Sequence, residues 1–183
     1  IPLRLVGSEM CIRDSIMAGF GCQLLAYDPY PNPQVEALGA RYLALDQVLR
    51  QSNIISLHCP LTPQTRHLIN MQSLGELLPG AMLINTGRGA LVDTPALIEA
   101  LKSGQLGYLG LDVYEEEAQI FFEDRSDQPL QDDVLARLLT FPNVIVTAHQ
   151  AFLTREALAA IAATTLDNIA RWMVGEPQNL VEG

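Results

Sequence analysis

The sequence has few cysteines, little basic charge and no long apolar run, and each shortage excludes a class of protein. Its 183 residues include only Cys11, Cys22 and Cys59, which are too few for a disulfide framework and match no metal-binding spacing. Eleven Lys and Arg stand against 21 Asp and Glu, giving a net charge of −10, which argues against nucleic acid or an anionic membrane as a partner. No apolar stretch approaches the length of a bilayer span. We therefore expect a cytoplasmic protein without a metal site.

The first fifteen residues, IPLRLVGSEMCIRDS, do not fit the pattern of the remaining chain. The segment from Leu5 to Ser15 reads as the translated end of a transposon-based sequencing adapter. Charged residues interrupt any apolar run here, which argues against a signal peptide. An unusual natural N-terminus is the other interpretation. We expect residues 1–15 to be foreign and the fold to begin at Ile16.

From Cys22 onward, short apolar runs alternate with helical patterns. Strands are predicted at 23–27, 54–57, 81–84, 108–111 and 144–146, and helices at 46–51, 70–78, 93–104, 132–139 and 154–174, with a short helical piece closed by Gly39. This alternation is typical of βαβ units, so the sequence predicts an α/β fold with helices on both faces of a parallel sheet. We expect one layered domain over 16–150 and a C-terminal helix and tail over 151–183.

Polar residues follow the predicted strands repeatedly, where a parallel sheet of this kind binds its ligands. These residues are Asp28, Cys59, Pro60, Gly87, Arg88, Asp112 and His149. Asp28 is suited to accepting hydrogen bonds from an adenosine ribose, and its charge would repel the extra phosphate of NADP. A turn aspartate before Pro29 is an equally good interpretation of the same residue.

Arg88 lies between two glycines in Thr86-Gly-Arg-Gly89, where a backbone can approach a ligand closely. A guanidinium binds a carboxylate through two parallel hydrogen bonds, although a surface arginine in a glycine turn is the simpler interpretation. His149 follows an apolar strand and is suited to donating a proton near neutral pH. Glu117 could orient its ring, or could belong to a merely charged turn.

Four stretches, taken together, resemble the D-isomer-specific 2-hydroxyacid dehydrogenases: CPLTPQTRHLIN, LINTGRGALVD, GLDVYEEE and TAHQAFLT, in that order. The resemblance covers essentially Ile16 to the C-terminus. Within the family, AYDPYPNP, the FFEDRS segment at 121–126 and HQAFLT are most similar to the bacterial fermentative D-lactate branch. The resemblance implies a Rossmann-like, doubly wound parallel sheet that binds NAD.

The resemblance also implies roles for individual residues. Arg88 would bind the substrate carboxylate, His149 would act as acid and base, and Glu117 would pair with His149. Asp28 would bind the ribose. The remaining predicted cofactor contacts are Cys59 and Pro60 on the adenine side and Thr86, Gly87 and Asp112 nearer the nicotinamide. The implied reaction is reduction of pyruvate to D-lactate by NADH, and the implied full-length protein is a homodimer or homotetramer.

The chain departs from the family in two respects. The glycine-rich phosphate loop should stand just before Ile16, where the adapter-like segment lies, and Gly7 has no GxGxxG pattern around it. The family's substrate domain, which lies mostly N-terminal to this region, has no counterpart. We therefore expect the chain alone to bind the cofactor poorly and to be inactive or nearly so. A bulkier 2-oxoacid substrate, or a non-catalytic role in sensing NAD(H), stays open.

Overall fold

The computed structural model describes residues 9–121 and 127–180, and the chain divides into two compact units, 1–148 and 149–183. In chain order the first unit contains α1 (Glu9–Gly19), β1 (Leu25–Ala26), α2 (Pro33–Glu36), β2 (Arg41–Tyr42), α3 (Leu45–Gln51), β3 (Ile54–Leu57), α4 (Met71–Gly75), β4 (Ala81–Asn85), α5 (Thr94–Ser103), β5 (Leu106–Leu111), α6 (Asp133–Leu139) and β6 (Val144–Val146). Short 3₁₀ turns lie at Gly89–Leu91 and Glu117–Gln119. Helix α7 (Arg155–Met173) belongs to the second unit.

All described strand pairs are parallel. Strands β3, β4, β5 and β6 form one sheet in that order, and β1 pairs with β2 in a separate two-stranded sheet. Because parallel neighbours need crossover connections, the helices lie between the strands in the chain. The predicted α/β architecture is thus confirmed. The carboxyl ends of β3 to β6 share one edge of the larger sheet.

The core lies on one face of the four-stranded sheet, because alternate residues of each strand point to opposite faces. Leu83 of β4 is completely buried with its neighbours Ile55 and Leu109, and Leu97 of α5 and Leu138 of α6 pack into the same cluster. The prediction of helices on both faces implies that the opposite face is buried as well. Three side chains on that face are largely exposed instead: Ile54, Tyr108 and Ile145 are 52%, 56% and 68% exposed.

Local capping chemistry accounts for several helix boundaries. The side chain of Asn70 accepts hydrogen bonds from two backbone N–H groups at the start of α4, and Asp93 does the same for Ala96 in α5. Helix α5 ends at Ser103, and its C-cap, Gly104, has a positive φ of 78° that a glycine adopts without steric cost. Asp132 caps α6 through the backbone N–H of Leu135. The sequence predicted the caps at Asn70 and Asp93 and an end of α5 near Gly104, and it left the start of α6 open between Asp132 and Asp133.

Three boundaries differ from the prediction. Helix α4 ends at Gly75 rather than at Leu78, and turns connect the helix to β4. Leu77, in this connection, is still buried. Strand β5 begins two residues earlier, at Leu106, and β1 is shorter than predicted. Strand β2 was not predicted, because two residues that pair through the backbone leave no alternation to detect.

Helix α1 begins inside the segment predicted to be foreign and continues into residues predicted to be native. Gly19 is its last residue, as expected for glycines that come too late to form a phosphate loop. Residues 1–8, which include Gly7, lie outside the described part of the chain, as does most of the FFEDRS segment. The adapter origin of residues 1–15 stays a prediction.

In the second unit, Thr154 caps α7 and the helix runs for 19 residues. Its apolar stripe was expected to be partly exposed, and this is confirmed: Leu158, Ile161, Ile169 and Trp172 are each about half exposed or more. Over the described residues, no helix combines the length and the apolar composition that crossing a bilayer requires.

Candidate functional site

The predicted site residues of the first unit lie at the carboxyl ends of its strands. Asp28 follows β1, Cys59 and Pro60 follow β3, the Thr86–Gly89 loop follows β4, and Asp112 follows β5 directly. The structure therefore confirms the strand-end position of these residues, while their functional roles stay predictions.

Asp28 and Cys59 follow strands of different sheets, and the Asp28 carboxylate acts electrostatically on the Cys59 thiol. Burial raises the pKa of the Cys59 thiol, a backbone hydrogen bond at Cys59 opposes this rise, and the nearby Asp28 carboxylate raises the pKa further. The backbone N–H of Tyr30 donates to Oδ1 of Asp28 at 2.7 Å, which makes the aspartate part of a turn, as the simpler interpretation held. Among the described residues Oδ2 accepts no hydrogen bond, so it is available to a ligand.

Asn85 organises the loop that carries Arg88. It is the last residue of β4 and completely buried. Its Nδ2 donates to the carbonyl of Arg88 at 2.9 Å, and its Oδ1 accepts from the backbone N–H of Gly87 at 3.1 Å. Asn85 was not among the site residues predicted from the sequence. The available signal was an amide side chain at the end of an otherwise apolar strand, where a buried polar group must find partners.

The Arg88 guanidinium is exposed to solvent. Its Nη1 atom donates to the carbonyl oxygen of Gly87 at 2.8 Å. Over residues 9–121 and 127–180, no carboxylate lies within ion-pair distance of the guanidinium. Because one edge of the guanidinium is occupied by its own loop, the remaining donors can bind an external anion bidentately. An exposed guanidinium bonded to its own loop is compatible with both interpretations of Arg88, a carboxylate-binding residue and a surface arginine in a glycine turn.

Gly89 brings the Arg88 loop against the loop that carries Glu117. A Cβ placed on Gly89 would lie 2.1 Å from the carbonyl carbon of Tyr114 and 2.4 Å from the backbone nitrogen of Glu115. No side chain fits in that space, so the two backbones touch only because residue 89 is glycine. This contact places the two loops side by side at the same sheet edge.

Glu117 is half-buried and bonded within its own loop. Its Oε2 accepts from the backbone N–H of Tyr114 at 3.1 Å. Tyr114 is itself buried, and its hydroxyl donates to Oδ2 of Asp132 at 2.9 Å. Burial, followed by this hydrogen bond, raises the pKa of Tyr114 far above its usual value. Glu117 therefore lies in an ordered turn, which is compatible with both interpretations, a partner of His149 and a charged turn.

Asp112 is buried and connects neighbouring strand ends. Thr147 donates from Oγ1 to Oδ1 of Asp112 at 2.5 Å, and the backbone N–H of Asp112 donates to the carbonyl of Asn85 at 3.0 Å. This arrangement ties the end of β5 to the residues after β6 and to the end of β4. Asp112 thus has a structural function beside its predicted contact with the cofactor.

His149 is the first residue of the second unit. Its φ is +58°, and that of the preceding Ala148 is +54°. Two successive side-chain-bearing residues in the left-handed region cost free energy, and such strain occurs preferentially at functional sites. His149 comes three residues after the end of β6, whose bounds, Val144–Val146, agree with the prediction.

The comparisons with known proteins agree on the family. The family model for the D-isomer specific 2-hydroxyacid dehydrogenase NAD binding domain matches residues 12–151. The chain is 50% identical over 168 residues to D-lactate dehydrogenase of Escherichia coli, covering 91% of this chain and 51% of that protein. The match to the family begins at Ile12, four residues before the predicted start of the native fold.

Solved structures give the same result. A structure of the pyruvate reductase of Chlamydomonas reinhardtii has a TM-score of 0.90 and 46% identity, covering 95% of this chain and 53% of that one. D-lactate dehydrogenase of Lactobacillus jensenii, solved with NAD+, has a TM-score of 0.83 and 35% identity, covering 94% of this chain and 52% of that one. The chain spans about half the length of the relatives it matches. The chain belongs to the D-isomer specific 2-hydroxyacid dehydrogenase family and has the Rossmann-like, NAD-binding domain of that family.

Proposed function

We propose that the full-length protein reduces pyruvate to D-lactate with NADH, with Arg88 as the residue that binds the substrate carboxylate. The observation that carries this proposal is the exposed guanidinium of Arg88, which Asn85 and Gly89 hold at the sheet edge and which has no carboxylate partner among the described residues. A 2-oxoacid supplies the carboxylate. The names of the relatives, D-lactate dehydrogenase and pyruvate reductase, favour a small 2-oxoacid.

The side chains around the sheet edge fit both ends of a dinucleotide. The Oδ2 atom of Asp28 can accept a hydrogen bond from a ribose hydroxyl, beside the half-buried Cys59 and the exposed Pro60. Thr86 and Gly87 lie next to Arg88 and Asp112, on the side that would face the nicotinamide. When bound, NADH supplies a hydride to the carbonyl carbon.

The chain's own residues then have separate tasks. Arg88 holds the carboxylate by two parallel hydrogen bonds, which fixes the carbonyl group and draws electron density toward its oxygen. His149 donates a proton to that oxygen as it gains negative charge, so the product hydroxyl carries the histidine's proton. Glu117 is the residue that the family resemblance pairs with His149, and a carboxylate bonded to the far ring nitrogen would orient the ring and favour its protonated form. The full-length protein acts as a homodimer or homotetramer.

The test is pyruvate-dependent NADH oxidation by the protein expressed from its complete reading frame. We expect Arg88→Gln to lower kcat/KM for pyruvate by about 100-fold or more, because the bidentate contact is lost in the transition state. Lys102→Gln is the matched control, since Lys102 pairs with Glu99 on the exposed side of α5. Equal effects of the two substitutions would refute the role of Arg88.

A panel of 2-oxoacids with branched and aromatic side chains decides the substrate. A higher kcat/KM for any of these than for pyruvate would replace pyruvate in the proposal. His149→Ala distinguishes an enzyme from a binding protein: an enzyme loses turnover, whereas a sensor of NAD(H) retains binding and shows no turnover even before the substitution.

The 183-residue chain by itself should not catalyse the reaction. The adapter-like segment stands where the family resemblance leads us to expect a glycine-rich phosphate loop, and no GxGxxG pattern surrounds Gly7, so we expect the pyrophosphate of NADH to lack its usual site at a helix N-terminus. We expect NADH affinity at least about 10-fold weaker than that of the full-length protein, measured by fluorescence titration. Pyruvate-dependent NADH oxidation by the isolated chain would contradict this expectation.

A further inference from the structure

Glu115 connects two loops that are far apart in the sequence. Its Oε1 atom accepts a hydrogen bond from Nη2 of Arg66 at 2.6 Å and lies 2.9 Å from Nε2 of His67. The carboxylate is largely buried, with 16% of the side chain exposed, whereas the Arg66 side chain is 56% exposed. Residues 66–67 end the loop that begins after β3, and Glu115 lies two residues before Glu117.

The same loop is joined to the Arg88 loop through the backbone. The N–H of His67 donates to the carbonyl of Ala90 at 2.9 Å, and the N–H of Ile69 donates to the carbonyl of Leu91 at 3.0 Å. Ile69 also forms a parallel bridge with Val92. Residues 67–69 therefore act as a short extra strand against the segment that follows Arg88, so these two loops form one rigid edge.

His67 adopts a backbone conformation that side-chain-bearing residues rarely take. Its φ is +50°, in the left-handed region, which costs free energy unless the surroundings hold it. The surroundings hold His67 at both ends: its backbone N–H bonds to Ala90, and its ring bonds to Glu115. This strained residue thus forms one hydrogen bond to the Arg88 loop and one to the loop that carries Glu117.

The contact at Gly89 joins the Arg88 loop to the loop that carries Glu117, so each of the three loops contacts the other two. Gly89 touches the backbone of Tyr114 and Glu115 directly, as described above. Van der Waals contact alone lets the two backbones slide, whereas the Glu115 carboxylate fixes the second loop through directional, charge-assisted hydrogen bonds. Glu115 therefore adds directional side-chain hydrogen bonds to a contact that otherwise consists of backbone atoms in close approach.

We propose that Glu115 is a positioning residue, which sets the place of Glu117 relative to Arg88 by anchoring its loop to His67. The proposal rests on the proposed function, because Arg88 and Glu117 are assigned to substrate and to His149 there. It extends that function by adding a residue that touches neither substrate nor cofactor. Small misplacements of reacting groups cost large factors in rate, so such an anchor should be visible in kcat.

The first experiment compares Glu115→Ala with Glu116→Ala in the full-length protein. Glu116 is the adjacent, exposed carboxylate and has no ion pair among the described residues, so it controls for the loss of one charge at this edge. We expect Glu115→Ala to lower kcat about 10-fold or more and to change KM for NADH by less than about twofold. Glu116→Ala should leave both within about twofold. A Glu115→Ala variant indistinguishable from Glu116→Ala would overturn the proposal.

Two further variants separate positioning from a general loss of stability. Glu115→Gln keeps an acceptor oxygen and should retain kcat within about threefold of the parent protein, so the conservative change rescues the rate. His67→Ala should lower kcat, and the double variant His67→Ala with Glu115→Ala should be no slower than Glu115→Ala alone, because Glu115→Ala already removes the bond through which the His67 side chain acts. Fully additive losses would show that Glu115 does not act through His67.

Hydrogen–deuterium exchange tests the anchor independently of turnover. Peptides covering 86–92 and 112–121 should exchange faster in Glu115→Ala than in the parent protein and in Glu116→Ala, while peptides from β4 and α5 should not change. If the parent protein reduces no 2-oxoacid, the proposed function fails, and hydrogen exchange alone decides whether Glu115 positions the loops. Exchange that is the same in Glu115→Ala and the parent protein, in both peptides, would overturn the positioning role.

Discussion

The sheet core of the first unit and helix α7 of the second are both rich in apolar side chains, but they bury these side chains very differently. Leu83, Leu97 and Leu138 are completely buried, whereas α7 has no buried residue along its 19 positions. Stability depends on the apolar area removed from water, so the same residue types contribute unequally in the two regions. Apolar periodicity identifies a helix, but only packing decides what that helix contributes.

The largest expected difference follows directly from this comparison. Leu83→Ala should lower the free energy of unfolding by about 3–5 kcal/mol, because it removes buried methyl groups and leaves a cavity in a close-packed core. Ile169→Ala in α7, where the side chain is 54% exposed, should cost less than about 0.5 kcal/mol. Urea unfolding of the chain, followed by circular dichroism, measures both. Similar losses would show that α7 is packed as the core is.

A second prediction concerns two glycines of the first unit. Gly89→Ala should destabilise the protein by about 1–3 kcal/mol or more, because the added Cβ must displace the backbone of Tyr114. Gly75→Ala is the matched control, since nothing lies within 4 Å of a Cβ at that helical position. It should be neutral or stabilising by up to about 1 kcal/mol. A neutral Gly89→Ala would disprove the close approach of the two loops.

These two regions also show which features the sequence makes predictable. Strand β3 at 54–57 and helix α5 between Asp93 and Gly104 were predicted, because alternation and caps are properties of neighbouring residues. Strand β2 was missed, because its pairing with β1 depends on a partner 16 residues away. The strand-end register of the site residues could likewise be predicted, since it follows from the order of the elements.

The contacts that hold the site together could not be predicted in the same way. The bonds of Glu115 to Arg66 and His67 span 49 and 48 residues of sequence, and no local pattern specifies such a partner. The family resemblance supplied expected roles for Arg88 and Glu117, but it did not indicate what positions their loops. Asn85 was overlooked for a related reason, because its function lies in the backbone groups of the following loop.

A third, smaller effect should appear at alkaline pH. The neutral hydroxyl of Tyr114 donates to Asp132, and its pKa is raised by burial and by that bond. A raised pKa means that this contribution to stability is complete below the unfolded value of about 10 and is lost as the pH rises above it. Tyr114→Phe should therefore cost about 1 kcal/mol at neutral pH, and the difference from the parent protein should shrink above about pH 10. Tyr30→Phe, at a residue 84% exposed, is the control for removal of a hydroxyl and should cost almost nothing at neutral pH.

The smallest expected effect tests whether the two sheets of the first unit meet at one site. Asp28 follows β1 of the small sheet and Cys59 follows β3 of the large one, yet the Asp28 carboxylate raises the pKa of the Cys59 thiol. In a background where Cys11 and Cys22 are serine, Asp28→Asn should lower that pKa and speed alkylation of Cys59 about twofold at a pH below it, since the thiolate is the reactive form. Asp46→Asn in α3 should leave the rate unchanged. Equal alkylation rates in all three proteins would show that Asp28 lies too far from Cys59 for both residues to contact one adenosine. The residues that follow the small sheet would then bind a different part of the cofactor.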